Sequence, residues 1–170
     1  ASISDTLKSL FQQSVFTDPI LGDTCRISST EIIVVPNGCT DDTTGAAKAA
    51  LERLKQDFIN SSAADLNLDC QVCVIQTAGK SNAWNAYIHE LSNDDLDLFV
   101  MVDADIEFNE VDTISNSLKA ILADKTAQIV VDTPLKSIFK KKDKTLLDRI
   151  SLRVSREHLD RRVAVAGSFY

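Results

Sequence analysis

The stretch "LFVMVDADIEFNE", from Leu98 to Glu110, sets five apolar residues in a row and then two carboxylates two positions apart. The run Leu98, Phe99, Val100, Met101, Val102 is short, partly β-branched and free of polar residues, which is the pattern of a strand buried on both faces. If the extended conformation continues past Val102, side chains at i and i+2 leave the strand on one side, and Asp103 and Asp105 face one space. At a separation of about 6 Å and an effective dielectric of about 20, two such charges repel by about 2 to 3 kcal/mol. A divalent cation, a proton or open water would offset that repulsion. The plainest alternative ends the strand at Val102, leaves both aspartates in solvent, and lets Asn109 cap the helix that follows.

The neighbouring sequence alternates strands with helices. A helix is predicted from Ser2 to Val15, with Ile3, Leu7, Leu10 and Phe11 on one face. "EIIVV", Glu31 to Val35, is a β-branched run that stops at Pro36, and "NGCTDDTTG" is turn chemistry. A longer helix is predicted over 44–60, with Ala47, Leu51, Leu54 and Phe58 as its buried stripe. "CQVCVIQ" follows as a strand, "TAGKSN" as a turn, and a helix over 82–91. After the opening stretch come a helix over 110–123 and a strand at "AQIVVD". Such alternation indicates a mostly parallel sheet covered on both faces.

The composition, 44% apolar and 25% charged over 170 residues, is that of one ordinary globular domain. No stretch has the apolar length of a membrane span, and "ASISDTLKSLFQQ" has no basic head followed by an apolar block, so the expected location is the cytoplasm. The net charge of −7 is unevenly spread: residues 1–134 are strongly acidic, whereas residues 135–170 hold 10 Lys and Arg against 4 Asp and Glu. We therefore expect an α/β domain over 1–134 with a basic, helical extension over 135–170 that belongs to it. The acidic part argues against a general nucleic-acid binder. The basic extension reads first as a solvated helix face, and second as a peripheral contact with an anionic membrane surface.

Cys70 and Cys73 have Cys-x-x-Cys spacing, but inside a strand an i and i+3 pair points to opposite faces, and His89 and His158 complete no zinc site. The four cysteines are expected to be buried, reduced thiols. "AGKSN" invites a phosphate-loop reading, yet that motif needs a glycine where Val74 stands. In an open α/β sheet the ligand crevice lies beyond the carboxyl ends of the strands. Three polar segments should gather there, 37–43, 77–82 and 103–109. Lys80 can reach a phosphate or sugar oxygen, and Asp103 and Asp105 can hold Mg²⁺ or Mn²⁺ beside a diphosphate.

Taken in order, "EIIVVPNGCTDDT", "GKSNAWN" and "LFVMVDADIEF" resemble the nucleotide-sugar-binding half of family 2 glycosyltransferases. The resemblance implies the GT-A fold, a three-layer α/β sandwich with a mostly parallel, Rossmann-like central sheet. It also implies metal-dependent transfer of a sugar from a nucleoside diphosphate, with a UDP-sugar as the expected donor and Mn²⁺ or Mg²⁺ as cofactor. By position, Asn37 stands where the family carries an acidic residue that reads the base, followed by Gly38, Cys39, Thr40 and Asp41. Lys80 matches the family's basic residue near the nucleotide, and Asn85 an asparagine further along the same helix. Asp103 and Asp105 match the Asp-x-Asp motif, the first near the ribose and the second on the metal.

Two family features have no counterpart: an opening central strand resembling "SVIIPTYN", and a general base beyond "VAGSFY". Asp143, Asp148 and Glu157 are not assigned to that second role, and the segment by itself is expected to be weakly active or inactive. Two other classes remain open on these residues. A haloacid-dehalogenase-type phosphohydrolase also places Asp-x-Asp after an apolar strand, although Ile106, Glu107 and Phe108 are not its usual continuation. A non-catalytic nucleotide-binding module would keep the turns without the chemistry. Trp84, beside the lysine turn, reads as core or as a reporter on a bound ligand.

Overall fold

In the computed structural model, described for residues 2–22, 25–61, 66–132 and 145, the chain divides into two units between Lys125 and Thr126. The first unit is built around one parallel strand pair. Strand β3 (Ser29–Val34) lies beside β4 (Asn67–Val72), with Ser29 opposite Asn67 and Val34 opposite Val72. The crossover between them is helix α2 (Thr43–Ser61). Helix α1 (Ile3–Phe11) packs on α2, and α2 on β4. The small side chains of Ala47 and Ala50, both buried, permit that approach.

Each of these elements has a local cause. Helix α1 starts with a reciprocal cap: Asp5 N–H donates to Ser2 Oγ at 3.3 Å, and Ser2 N–H donates to Asp5 Oδ2 at 2.9 Å. Its apolar face meets the expected stripe of α2 in a core of Leu7, Val15, Phe16, Ile32, Ala50, Leu51, Leu66 and Ile114. Leu54 and Phe58 flank it, with the Phe16 ring edge-on to Phe58 at 6.2 Å and stacked on Phe11 at 5.4 Å. The first helix is shorter than predicted, ending at Phe11 and followed by a 3-10 turn at Ser14–Phe16. A small antiparallel pair not foreseen, β1 (Ile20–Leu21) with β2 (Cys25–Arg26), comes next.

The predicted third strand does not form. Leu98, Phe99, Val100 and Val102 are 37–46% exposed, and among the described residues no strand pairs with them. An apolar run satisfies one requirement of a buried strand; a ladder partner is the other, and among the described residues none stands beside it. Contact is made through side chains instead, the Phe99 ring lying edge-on to Tyr87 at 5.7 Å. The same correction applies to "AQIVVD", whose residues carry no strand and where Ile129 is 74% exposed. The described sheets are thus the parallel β3–β4 pair and the β1–β2 pair. The expectation of a helical extension over 135–170 lies outside the described residues, Thr145 apart.

The remaining helices bracket the opening stretch. Helix α3 (Lys80–Ala86) starts two residues earlier than predicted and runs on into a π-helical turn at Tyr87–Leu91. Helix α4 (Thr113–Ala123) starts three residues later than predicted, with Asp112 rather than Asn109 at its N-cap position.

Candidate functional site

The turn after β3 and the turn after β4 are pressed together. The parallel pairing extends beyond the strands, with Ile75 N–H donating to Pro36 O at 3.0 Å and Gly38 N–H to Ile75 O at 3.3 Å. Gly38 has φ +60°, and a Cβ built there would lie 2.5 Å from the Cβ of Ala78. Only glycine accepts that conformation and that proximity together. Its neighbour Asn37 donates from Nδ2 to Gly79 O at 3.2 Å. Two of the expected polar turns therefore meet at Asn37, Gly38 and Gly79.

Lys80 links the third turn to them. Its ammonium lies 2.6 Å from Asp103 Oδ1 and 5.7 Å from the centre of the Trp84 ring. Neither partner of the ion pair is buried, the side chains being 36% and 46% exposed. The charge that offsets Asp103 is thus a lysine, which was not among the counter-charges weighed from the pattern. The backbone does not continue extended through the aspartates. Ile106 N–H donates to Asp103 O at 3.2 Å, which closes a turn over 103–106, so strand alternation does not relate Asp103 to Asp105. Both are exposed on that turn. Asn85 is also exposed; five positions beyond Lys80 on α3, it is turned about 140° round the helix from it.

The loop that carries Asp103 and Asp105 is held by α1 and the residues just after it. Thr6 Oγ1 donates to Ala104 O at 2.8 Å, Ser9 Oγ accepts from Phe108 N–H at 3.1 Å, and Gln13 Nε2 donates to Glu110 O at 2.9 Å. Thr6 and Ser9 lie on one face of α1, Gln13 follows the helix, and all three side chains are buried. The apolar pattern of the sequence did not single them out. Their signal was there: polar residues at helical spacing, set among Leu7, Leu10 and Val15.

Glu31 was missed as well. Its carboxylate accepts from Gln71 Nε2 at 2.9 Å and from Asn93 N–H at 3.1 Å, so β3 pins the chain where it returns from the π-helical turn. Nearby, burial raises the Tyr87 hydroxyl above its usual range, and the charge of Glu31 adds to that. Asp41, following the Asn37 turn, accepts from the hydroxyl and the N–H of Thr43 at 2.6 and 3.1 Å, bonds that hold its carboxyl below the usual range.

The donor set suits an oxygen-loving divalent ion only in part. Among the described residues no three His, Cys, Asp or Glu side chains converge as a metal cage. Two carboxylates on one exposed turn match the share a protein gives Mg²⁺ or Mn²⁺ when phosphate oxygens and water complete the shell. Zinc chemistry finds no support in the cysteines. Contrary to expectation none of the four is fully buried: Cys39 is exposed beside Gly38, Cys25, Cys70 and Cys73 are half-buried, and burial pushes the Cys70 thiol up to about 11. An open groove of about 460 Å³ between α2 and β4, lined by Lys48, Glu52 and Cys70 among others, contains none of the residues expected at the site.

A parallel strand pair with its crossover helix, and polar turns gathered at the carboxyl ends of the strands, define an α/β domain of the kind that binds ligands at that edge. The chain matches the family described as glycosyl transferase family 2 over residues 1–164, and it belongs to that family. Membership implies the GT-A fold and assigns the chain to glycosyl transfer in general. No curated protein and no solved structure gives a significant match.

Proposed function

We propose that this chain binds the nucleoside diphosphate part of a sugar donor, with UDP as the nucleotide, and presents the sugar for transfer to an acceptor. The observation that carries the reading is the junction of Asn37, Gly79, Lys80 and Asp103, which brings an amide, a cation and a carboxylate to one edge. In this reading the Asn37 amide faces the base edge, which it can approach as donor and acceptor. The Lys80 ammonium takes a diphosphate oxygen as a point charge. Asp103 and Asp105 would hold Mn²⁺ or Mg²⁺ against the same diphosphate. When bound, that ion supplies Lewis-acid neutralisation of the departing diphosphate. Before donor arrives Asp105 is exposed on the turn over 103–106 and Asp103 is paired with Lys80, so the site forms around its ligand.

Family membership turns the reading away from a phosphohydrolase. A direct test is calorimetric titration with UDP and with GDP, each with and without Mn²⁺. We expect binding that needs the metal and prefers UDP, weakened at least tenfold in Asp105→Asn, since loss of a charged ligand pair costs about 1.5–3 kcal/mol. Equal binding by wild type and Asp105→Asn would refute the assigned role. No helix among the described residues is long and apolar enough to cross a membrane. We place the protein in the cytoplasm, with the basic stretch 135–170 against an anionic bilayer; sedimentation with phosphatidylserine vesicles, compared with neutral ones, tests this.

A further inference from the structure

We propose that Lys80 is a switching cation and that Trp84 is its positioning residue: in the free protein the ammonium neutralises Asp103, and a nucleoside diphosphate draws it away, leaving the carboxylate to a divalent ion. The inference rests on the nucleotide-binding reading above and adds an order of events to it. Lys80 Nζ already stands 2.6 Å from Asp103 Oδ1, so a metal ion arriving alone meets a second cation on the same oxygen. Like charges at that range oppose each other, and metal binding by the free protein is held down.

A diphosphate changes the balance, because it offers the ammonium two or more negative charges where the Asp103 carboxylate carries one. Once Lys80 has moved, Asp103 and Asp105 are both free to act as ligands, and the diphosphate itself completes the shell. Nucleotide and metal then favour each other, a coupling that must be reciprocal. Lys80 would otherwise be a poorly held group, being a long side chain that is 36% exposed. The Trp84 ring, 5.7 Å from Nζ and one helical turn along α3, supplies the second contact that holds it at the carboxylate.

The experiment titrates Mn²⁺ alone, UDP alone, and UDP in the presence of Mn²⁺ into the wild type and into Lys80→Met, Lys80→Gln, Trp84→Leu and Trp84→Phe, read by calorimetry. Melting curves check that each variant is folded. Mn²⁺ alone is expected to bind Lys80→Met and Lys80→Gln about tenfold more tightly than the wild type, within the usual range of coupling energies. UDP in the presence of Mn²⁺ binds them more weakly, and the mutual tightening of UDP and Mn²⁺ shrinks. Trp84→Leu should move Mn²⁺ affinity in the same direction by a smaller factor, and Trp84→Phe, which keeps an aromatic face, should restore it. A purely structural Trp84 would weaken every ligand and tighten none. If UDP binds the wild type while Lys80→Met holds Mn²⁺ no more tightly, the switch is refuted and the nucleotide reading stands. If the wild type binds neither UDP nor Mn²⁺, both fall together.

Discussion

Replacing Gln13 by Leu removes two hydrogen bonds at nearly constant volume, so the loss isolates what a buried amide contributes here. The side chain is 1% exposed, with Nε2 donating to Glu110 O at 2.9 Å and Oε1 accepting from Ile114 N–H at 3.1 Å. The second bond caps α4 from a distance of 101 residues, because the N-cap residue Asp112 makes no side-chain cap of its own. In Gln13→Leu the Ile114 N–H, on a residue 7% exposed, would be orphaned, at a cost of about 1–3 kcal/mol. The Glu110 carbonyl still accepts from Thr113 Oγ1 at 3.0 Å, so that loss is nearer 0.5–1 kcal/mol, about the net worth of one bond. The sum, about 1.5–4 kcal/mol, would lower the melting temperature of a unit this size by roughly 10 °C. Urea unfolding followed by circular dichroism, with Gln12→Leu as an exposed neighbour, provides the assay. Gln12→Leu should stay within about 0.5 kcal/mol of wild type. Equal midpoints for the two variants would refute the argument that Gln13 anchors the 104–114 segment.

Gly38→Ala and Gly22→Ala separate backbone strain from crowding. Both have positive φ, but a Cβ at Gly22 meets nothing within 4 Å, whereas one at Gly38 meets Ala78. Gly22→Ala should cost about 1–2 kcal/mol in urea midpoint, the left-handed penalty alone. Gly38→Ala should cost more and weaken UDP binding, since the Asn37 turn must shift; equal costs would show that the turns are not pressed together. Ser2→Ala should lower stability chiefly above the usual carboxylate range. The Ser2 backbone N–H, then its hydroxyl, hold the Asp5 carboxyl below its ordinary 3.8. The unfolded chain therefore binds the proton more readily, so this contribution is present above that value and is lost as pH falls through the lowered one. The gap in urea midpoint between wild type and Ser2→Ala should accordingly narrow near pH 2 to the part supplied by the Asp5 N–H to Ser2 Oγ bond, which does not titrate, and a gap independent of pH would count against the hydroxyl–carboxylate contact. Val100→Lys should reduce self-association in light scattering while moving the melting temperature by less than about 3 °C, because Val100 is 46% exposed. Unfolding of that variant would mean the run is core after all.

What was legible in the sequence is what nearest neighbours along the chain can enforce. The β-branched run before Pro36 and the apolar spacing of α2 form where expected, since each depends on residues within one or two turns of one another. The positions of Asn37, Lys80 and Asp103 at the ends of apolar runs were legible for the same reason. Their partners were not. Tertiary structure decided that Asn37 meets Gly79 42 residues on, that Lys80 rather than solvent sits on Asp103, and that Gln13 caps a helix 101 residues away. It also decided that Leu98–Val102 has no ladder beside it among the described residues. Hydrophobic pattern records a residue's preference to leave water, whereas a strand or an ion pair needs a specific partner brought to within about 3 Å by the whole fold, and no local spacing encodes that.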